Sequence, residues 1–366
     1  MATALASSGP DYDLGPAAAL ELGDGDAGLA LTFDAFTARD PAMEDACAEA
    51  LDRVALGVAQ TPFHPWLLGG TCGLAWVWHH LDAAQPEVLD GLDQALATML
   101  AAPRWDAPLG LLDGLAGVAV LLLERAAFPV ARAALGDVVR HLEDRAEHSE
   151  PGACWRRSST ELDPATLASF PRGYVDLGML RGTAGLITTL CRLHAADIER
   201  PRVATLVESC VRWLQAHADG PRLPAWIADD QRGAPGHGWC SGGLGLGIAL
   251  LAAAEVMDDR ALTHWAVECM LADATFEPDG DLALCHGGAG LIQLTTRAFH
   301  QTGDPRLASR VVTAVEGLTA AASDRDRWPR KRGLLVGRAG TALALLAASE
   351  PHEPAWDRLL LASSVH

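Results

Sequence analysis

Two kinds of apolar pattern alternate along the chain. The first is a short run with few charges, as in Leu74–Leu81, Val118–Leu123, Leu186–Leu193, Ile248–Val256 and Thr341–Ala348. Such runs read as helices that face neighbours nearly all round. The second carries apolar residues on one face and charges on the other. It covers Glu44–Ala59, Val88–Ala101, Ala131–Ala146, Val203–His217, Arg260–Asp273 and Arg306–Ala322, with Ala355–Leu361 as a short last one. No stretch shows sustained strand alternation. The pattern predicts seven pairs, each of one apolar helix and one half-exposed helix.

A glycine pair punctuates each repeat. Gly-x-x-Gly followed by an apolar run occurs at Gly25/Gly28, Gly70/Gly73, Gly114/Gly117, Gly182/Gly185, Gly242/Gly245, Gly287/Gly290 and Gly337/Gly340. One such pair is a weak signal; seven, each opening a helix-like segment, are hard to obtain by chance. An inner ring of apolar helices wrapped by an outer ring satisfies the pattern, so the expected fold is all-α, an α/α toroid of about seven inner and seven outer helices. An open solenoid would leave the apolar layer exposed on its concave side. The glycines then sit at inner-helix N-termini, where missing side chains let backbones approach, and all seven turns converge on one end of the barrel. Residues 1–366 read as a single toroid domain. Two longer connections, near 148–176 and 219–239, enter that same end and are expected to form a rim.

The composition narrows the possible roles. Of 366 residues 28 are basic and 47 acidic, a net charge of −19, which argues against a nucleic-acid binder. There is no transmembrane span, and Met1–Pro10 lacks the basic and apolar regions of a signal peptide. The eight cysteines show no short-spaced disulfide framework, so a cytoplasmic location with reduced thiols is expected. Cys47, Cys191, Cys210 and Cys269 fall inside helical patterns and read as core.

The repeat register singles out a different pair. The residues two places before each first glycine are Gly23, Leu68, Leu112, Leu180, Cys240, Cys285 and Leu335. Cys240 and Cys285 thus hold equivalent places in adjacent repeats, and His286 follows the second. In a toroid these three side chains meet at the barrel mouth. Two thiols and an imidazole suit Zn²⁺, and three protein ligands leave a fourth position for water or substrate, the layout of a catalytic zinc. Without the register, two core cysteines near a turn would be the plainer reading.

At these residues the chain resembles the lanthionine synthetase C-like family. The resemblance rests on Gly238-Trp239-Cys240-Ser241-Gly242, on Leu284-Cys285-His286-Gly287-Gly288-Ala289-Gly290, on the seven glycine pairs and on the closing Ala355-Trp356-Asp357-Arg358-Leu359-Leu360-Leu361. It covers nearly the whole chain and looks most like a stand-alone cyclase, with no dehydratase or kinase domain preceding it. It implies a zinc held by Cys240, Cys285 and His286. It also implies a substrate, a precursor peptide already dehydrated at Ser or Thr, whose cysteine thiolate adds to dehydroalanine or dehydrobutyrine to give lanthionine or methyllanthionine rings. A dehydratase partner is compatible with this role. The alternative is a degenerate member that binds precursor or scaffolds a modifying complex.

The chain departs from the family pattern around the metal residues. Arg181 stands where the family has His before the fourth glycine pair, and Gly110 where it has Asp before the third. Ser241 stands in place of Tyr, and Gly236 in place of Arg. Three residues are candidate substitutes: His237 for delivering a proton, Arg181 for stabilising an enolate, and Asp106 for the missing carboxylate, each competing with an ordinary loop role. Asp24, Asp113 and Arg338 read as helix caps or ion-pair partners. His79 and His80 sit in an apolar helix beside Trp76 and Trp78, and one of them reads as a core histidine.

Overall fold

The computed structural model describes residues 17–277, 280–350 and 352–363. The Met1–Pro10 reading, and the start and end of the proposed 1–366 domain, lie outside these residues. Helices follow the expected order. The first three pairs are α1 (Asp26–Phe36) with α2 (Ala42–Val58), α3 (Thr71–His80) with α4 (Pro86–Leu100), and α5 (Leu115–Glu124) with α6 (Pro129–Arg145). After a short α7 (Pro164–Ser169) come α8 (Thr183–Ala195) with α9 (Arg200–His217). A single turn, α10 (Gly238–Ser241), leads into α11 (Gly243–Met257) with α12 (Arg260–Asp273). The last elements are α13 (Gly288–Thr302) with α14 (Pro305–Ala322), and α15 (Arg338–Ala348). The seventh outer element, expected as a helix over Ala355–Leu361, is a 3₁₀ turn at Trp356–Leu360.

The inner helices form a closed ring. α1, α3, α5, α8, α11, α13 and α15 each touch the next, and α15 touches α1. This excludes the open solenoid. Each inner helix is capped by its first turn glycine, whereas outer helices such as α4, α6 and α14 open with proline in the first turn.

The glycine pair has a local steric cause. A Cβ at each second glycine would lie 1.8–2.4 Å from the carbonyl oxygen six residues earlier in its own turn. The chain therefore folds back on itself immediately before every inner helix. The residue three before each first glycine is buried. Leu22, Leu67, Leu111, Met179, Trp239, Leu284 and Leu334 form a plug, none more than 2% exposed. Each such side chain contributes about 1.5–3 kcal/mol of burial.

The turns are also tied to one another. The backbone N–H of Cys240 donates to the carbonyl of Cys285 at 3.3 Å, and Cys285 to Leu335 at 2.8 Å. Leu335 donates to Gly23 at 3.2 Å and Gly23 to Leu68 at 3.0 Å. Leu112 donates to Leu180 at 3.0 Å, and Leu180 to Cys240 at 3.2 Å. At every junction but that of Leu68 with Leu112, the positions inferred as equivalent are thus hydrogen-bonded neighbours around the mouth.

The long connections expected to form a rim carry short strands. β1 (Glu147–Ser149) pairs with β2 (Gly152–Cys154), and β3 (Arg156–Arg157), β4 (Tyr174–Asp176), β5 (Trp226–Ala228) and β6 (Gln231–Arg232) form one antiparallel sheet in that order. The two connections are therefore knitted together through β4 and β5. At the other end of the barrel, Asp357 of the last turn is fully buried and pairs with Arg297 at 2.7 Å and with Gln293 at 2.6 Å. Trp239 of the plug donates its indole N–H to the Leu360 carbonyl at 3.0 Å, joining the two ends. Among the described residues no helix is long and apolar enough to cross a membrane.

Candidate functional site

The turn before α11 and the turn before α13 bring the two cysteines together. Gly238 adopts φ +71°, and a Cβ there would lie 2.4 Å from the His286 Cα, so only glycine fits against the next repeat. This contact seats Cys240 beside Cys285. One donor atom from each of Cys240, Cys285 and His286 lies within 4.8 Å of the others. Cys285 is 5% exposed, Cys240 is half-buried, and His286 is 44% exposed toward the mouth.

The two sulfurs behave as a thiol–thiolate pair. The Cys285 thiol donates to Cys240 and holds it down at about 6, helped by the Ser241 hydroxyl and His286. Cys285 is pushed up for the complementary reason: its proton is bound to Cys240, it is buried, and Asp281 and Asp24 add negative potential. Burial pushes the thiols of Cys47 and Cys154 up to about 11 and that of Cys269 to about 12, and raises Cys72, Cys191 and Cys210 as well. Cys240 therefore stands apart as the thiolate. A soft divalent cation would replace the proton the pair shares, so this donor set fits a metal.

Asp281, which the sequence reading passed over, supports the imidazole. Its Oδ2 lies 3.0 Å from His286 Nε2. With Nε2 engaged, Nδ1 is the nitrogen left to face the sulfurs, the arrangement by which a carboxylate fixes the tautomer of a ligating histidine. The available signal was the offset: Asp281 lies six places before Gly287. Asp176, six places before Gly182, holds the same station in the fourth repeat; burial pushes its carboxyl up, and it accepts from the Gly178 N–H at 2.8 Å.

The other candidates are placed differently. Arg181 is half-exposed, with Nε 3.8 Å from Asp113 Oδ2, in the position of the mouth that His286 holds in the sixth repeat. His237 turns outward; it is 78% exposed, with Nδ1 3.2 Å from Asp273 Oδ1, and only its backbone carbonyl approaches Cys240 Sγ, at 4.0 Å. Asp106 is 83% exposed and pairs loosely with Arg104 at 3.8 Å, so the structure does not bring it to the cluster. Asp24 pairs with Lys331 at 3.2 Å, and Arg338 donates to the Pro329 carbonyl at 2.8 Å; these residues make polar contacts and cap no inner helix. His80 stacks on Trp76 with ring centroids 4.7 Å apart, and burial lowers its pKa to about 4, as a core histidine requires.

Two departures from the family pattern are built into the backbone. A Cβ at Gly110 would lie 2.8 Å from Arg181 Cα, and one at Gly236 would lie 2.2 Å from the Ser241 carbonyl oxygen. Neither position has room for a side chain.

With this geometry in place, comparison with known proteins defines the class. The profile of the lanthionine synthetase C-like proteins matches residues 16–361. The chain belongs to this family. Among solved structures, nisin cyclase superposes with a TM-score of 0.81 at 15% identity, over 94% of this chain and 92% of that one. A sugar epimerase from a ruminal bacterium reaches a TM-score of only 0.47 at 12% identity, over 77% of this chain and 87% of that one. No curated protein sequence matches the chain.

Proposed function

We propose that this chain is a zinc-dependent thioether cyclase acting on a dehydrated precursor peptide. The observation that carries the reading is the convergence of Cys240, Cys285 and His286 at the mouth of a closed toroid, with Cys240 already favouring the thiolate. These residues would hold the metal and Asp281 would orient His286. Bound there, zinc would leave one coordination place for a substrate cysteine and would favour its thiolate form. The protein's own groups do the rest. The mouth positions the peptide over the plug, and Arg181 presents a permanent positive charge toward the enolate that forms when sulfur adds to the β-carbon of a dehydroamino acid. Protonation of the α-carbon completes a lanthionine or methyllanthionine ring.

A second reading is favoured by the closed positions at Gly110 and Gly236. A member that lacks the family's side chains there would bind a precursor or scaffold a modifying complex, with the metal serving structure. Mass spectrometry after thiol blocking separates the two. The expected result is that a dehydrated precursor loses its free thiols on incubation with the zinc-loaded chain and keeps them with Cys285→Ala. Rings formed equally by Cys285→Ala would reject the zinc site as their source. Tight precursor binding without ring formation by the wild-type chain would favour the scaffold.

A further inference from the structure

Ring closure needs a group that delivers a proton to the substrate α-carbon, and most ionisable groups near the mouth are committed elsewhere. His237 is turned to Asp273, and Asp106 points outward toward Arg104. Arg181 keeps its proton, and Asp113 is its ion-pair partner. Asp176, whose carboxyl burial also pushes up, already accepts from the Gly178 N–H at 2.8 Å and has the Arg157 and Arg181 guanidiniums to hold its charge. The positions four before each first glycine are Glu21, Trp66, Gly110, Gly178, Gly238, Ala283 and Gly333, so this level of the mouth carries one ionisable side chain.

That side chain lies across the junction of the first and second repeats. A Cβ added at Gly69 would be 3.1 Å from Glu21 Oε2, and one added at Gly23 would be 3.9 Å from Oε1. Gly69 immediately precedes Gly70, the first glycine of the second repeat, the place His286 holds in the sixth repeat, and its missing side chain leaves space for the carboxyl. The turn that carries Glu21 is two hydrogen-bonded steps from the metal cluster: the Cys285 N–H donates to the Leu335 carbonyl at 2.8 Å, and the Leu335 N–H to the Gly23 carbonyl at 3.2 Å. One Asp24 oxygen pairs with Lys331, and the other is buried without a partner.

We propose that Glu21 is the acid of the ring-forming reaction, a reading that rests on the cyclase function proposed above. As the sulfur lone pair forms the C–S bond at the β-carbon, the C=C pair moves into the enolate. The Glu21 O–H then gives its proton to the α-carbon, and its carboxylate is reprotonated by the proton the incoming thiol released. No net proton is gained or lost. The local charges suit the task. Burial and Asp24 push the Glu21 carboxyl up to about 7 while Lys331 pulls the other way, so the acid is available near neutral pH and its anion has a cation nearby. Between His64 and Thr71 the Gly69 turn carries one ionisable side chain, His64, whose backbone carbonyl accepts from the Thr71 N–H at 2.9 Å.

The test uses the full zinc-loaded chain and a synthetic peptide carrying one cysteine and one dehydroalanine. Glu21→Gln should slow ring formation about 100-fold, the scale of a lost general acid. It should also shift the product toward equal amounts of the two α-carbon epimers, because water then delivers the proton from either face. Glu21→Asp should recover part of both properties, and a merely structural role would leave the epimer ratio unchanged. A readout without turnover uses the metal-free chain. The unfolded Glu21 ionises near 4.5 and the folded one near 7, so folding through this group is favoured below 4.5 and that advantage is lost as pH rises to about 7. Wild-type stability relative to Glu21→Gln should fall across that window and then level off. A Glu21→Gln chain that closes rings at the wild-type rate with the wild-type epimer ratio overturns the assignment. A wild-type chain that loads zinc and closes no ring removes the cyclase reading and the acid role together.

Discussion

Replacing Gly117 by alanine tests the turn that builds the whole mouth. The new Cβ would sit 2.4 Å from the Leu111 carbonyl oxygen and 2.9 Å from Leu67 Cβ in the neighbouring repeat. Neither atom can move cheaply. Leu111 precedes Leu112, whose N–H ties this turn to Leu180 at 3.0 Å, and Leu67 belongs to the plug. Relief therefore requires backbone movement in two repeats, which costs about 3 kcal/mol or more, at the upper end of overpacking. The matched control is Gly136→Ala in α6, where a Cβ meets nothing within 4 Å. In that helix interior alanine should stabilise by about 0.5–1 kcal/mol. Urea denaturation of both variants, followed by circular dichroism and tryptophan fluorescence, gives the two changes with opposite signs. A Gly117→Ala change within about 0.5 kcal/mol of zero, the range of an ordinary surface substitution, would refute the steric account of the glycine pairs.

Three further outcomes are expected. Asp357→Ala leaves Arg297 without its fully buried partner and should lower stability by about 3–5 kcal/mol, read by the same urea titration. In the metal-free chain, alkylation mapped by mass spectrometry at pH 7 should strike Cys240 first, with a rate that rises with pH through about 6 as its thiolate forms. Cys285→Ala removes the thiol that holds Cys240 down, and should slow that alkylation by about tenfold or more. Asp281→Asn should weaken zinc binding about 10–100-fold in a competition titration with a chelator, because His286 loses the carboxylate that orients it.

Much of this architecture is legible in the chain because it repeats. The glycine pairs mark the inner-helix starts, and counting back two places sets Cys240 beside Cys285, as the hydrogen bond between their turns bears out. What escapes the sequence is whatever depends on direction or on distant neighbours. The strands β3 to β6 are two or three residues long and pair across the two long connections, too short for alternation to register. His237 lies three places from Cys240 in sequence, yet its side chain faces Asp273 on an outer helix. Gly110 reads as a lost carboxylate, but its lack of room comes from the Arg181 backbone one repeat away. The last outer element shortens to a 3₁₀ turn, its Asp357 drawn in by Arg297 and Gln293.

The metal centre is tested most directly by X-ray absorption at the zinc edge, on the purified chain with and without a cysteine-containing peptide. The expected chain binds one zinc with two sulfur ligands, Cys240 and Cys285, and gains a third sulfur when the peptide is added. A chain that takes up no zinc, or whose sulfur count stays at two with the peptide bound, would contradict the account.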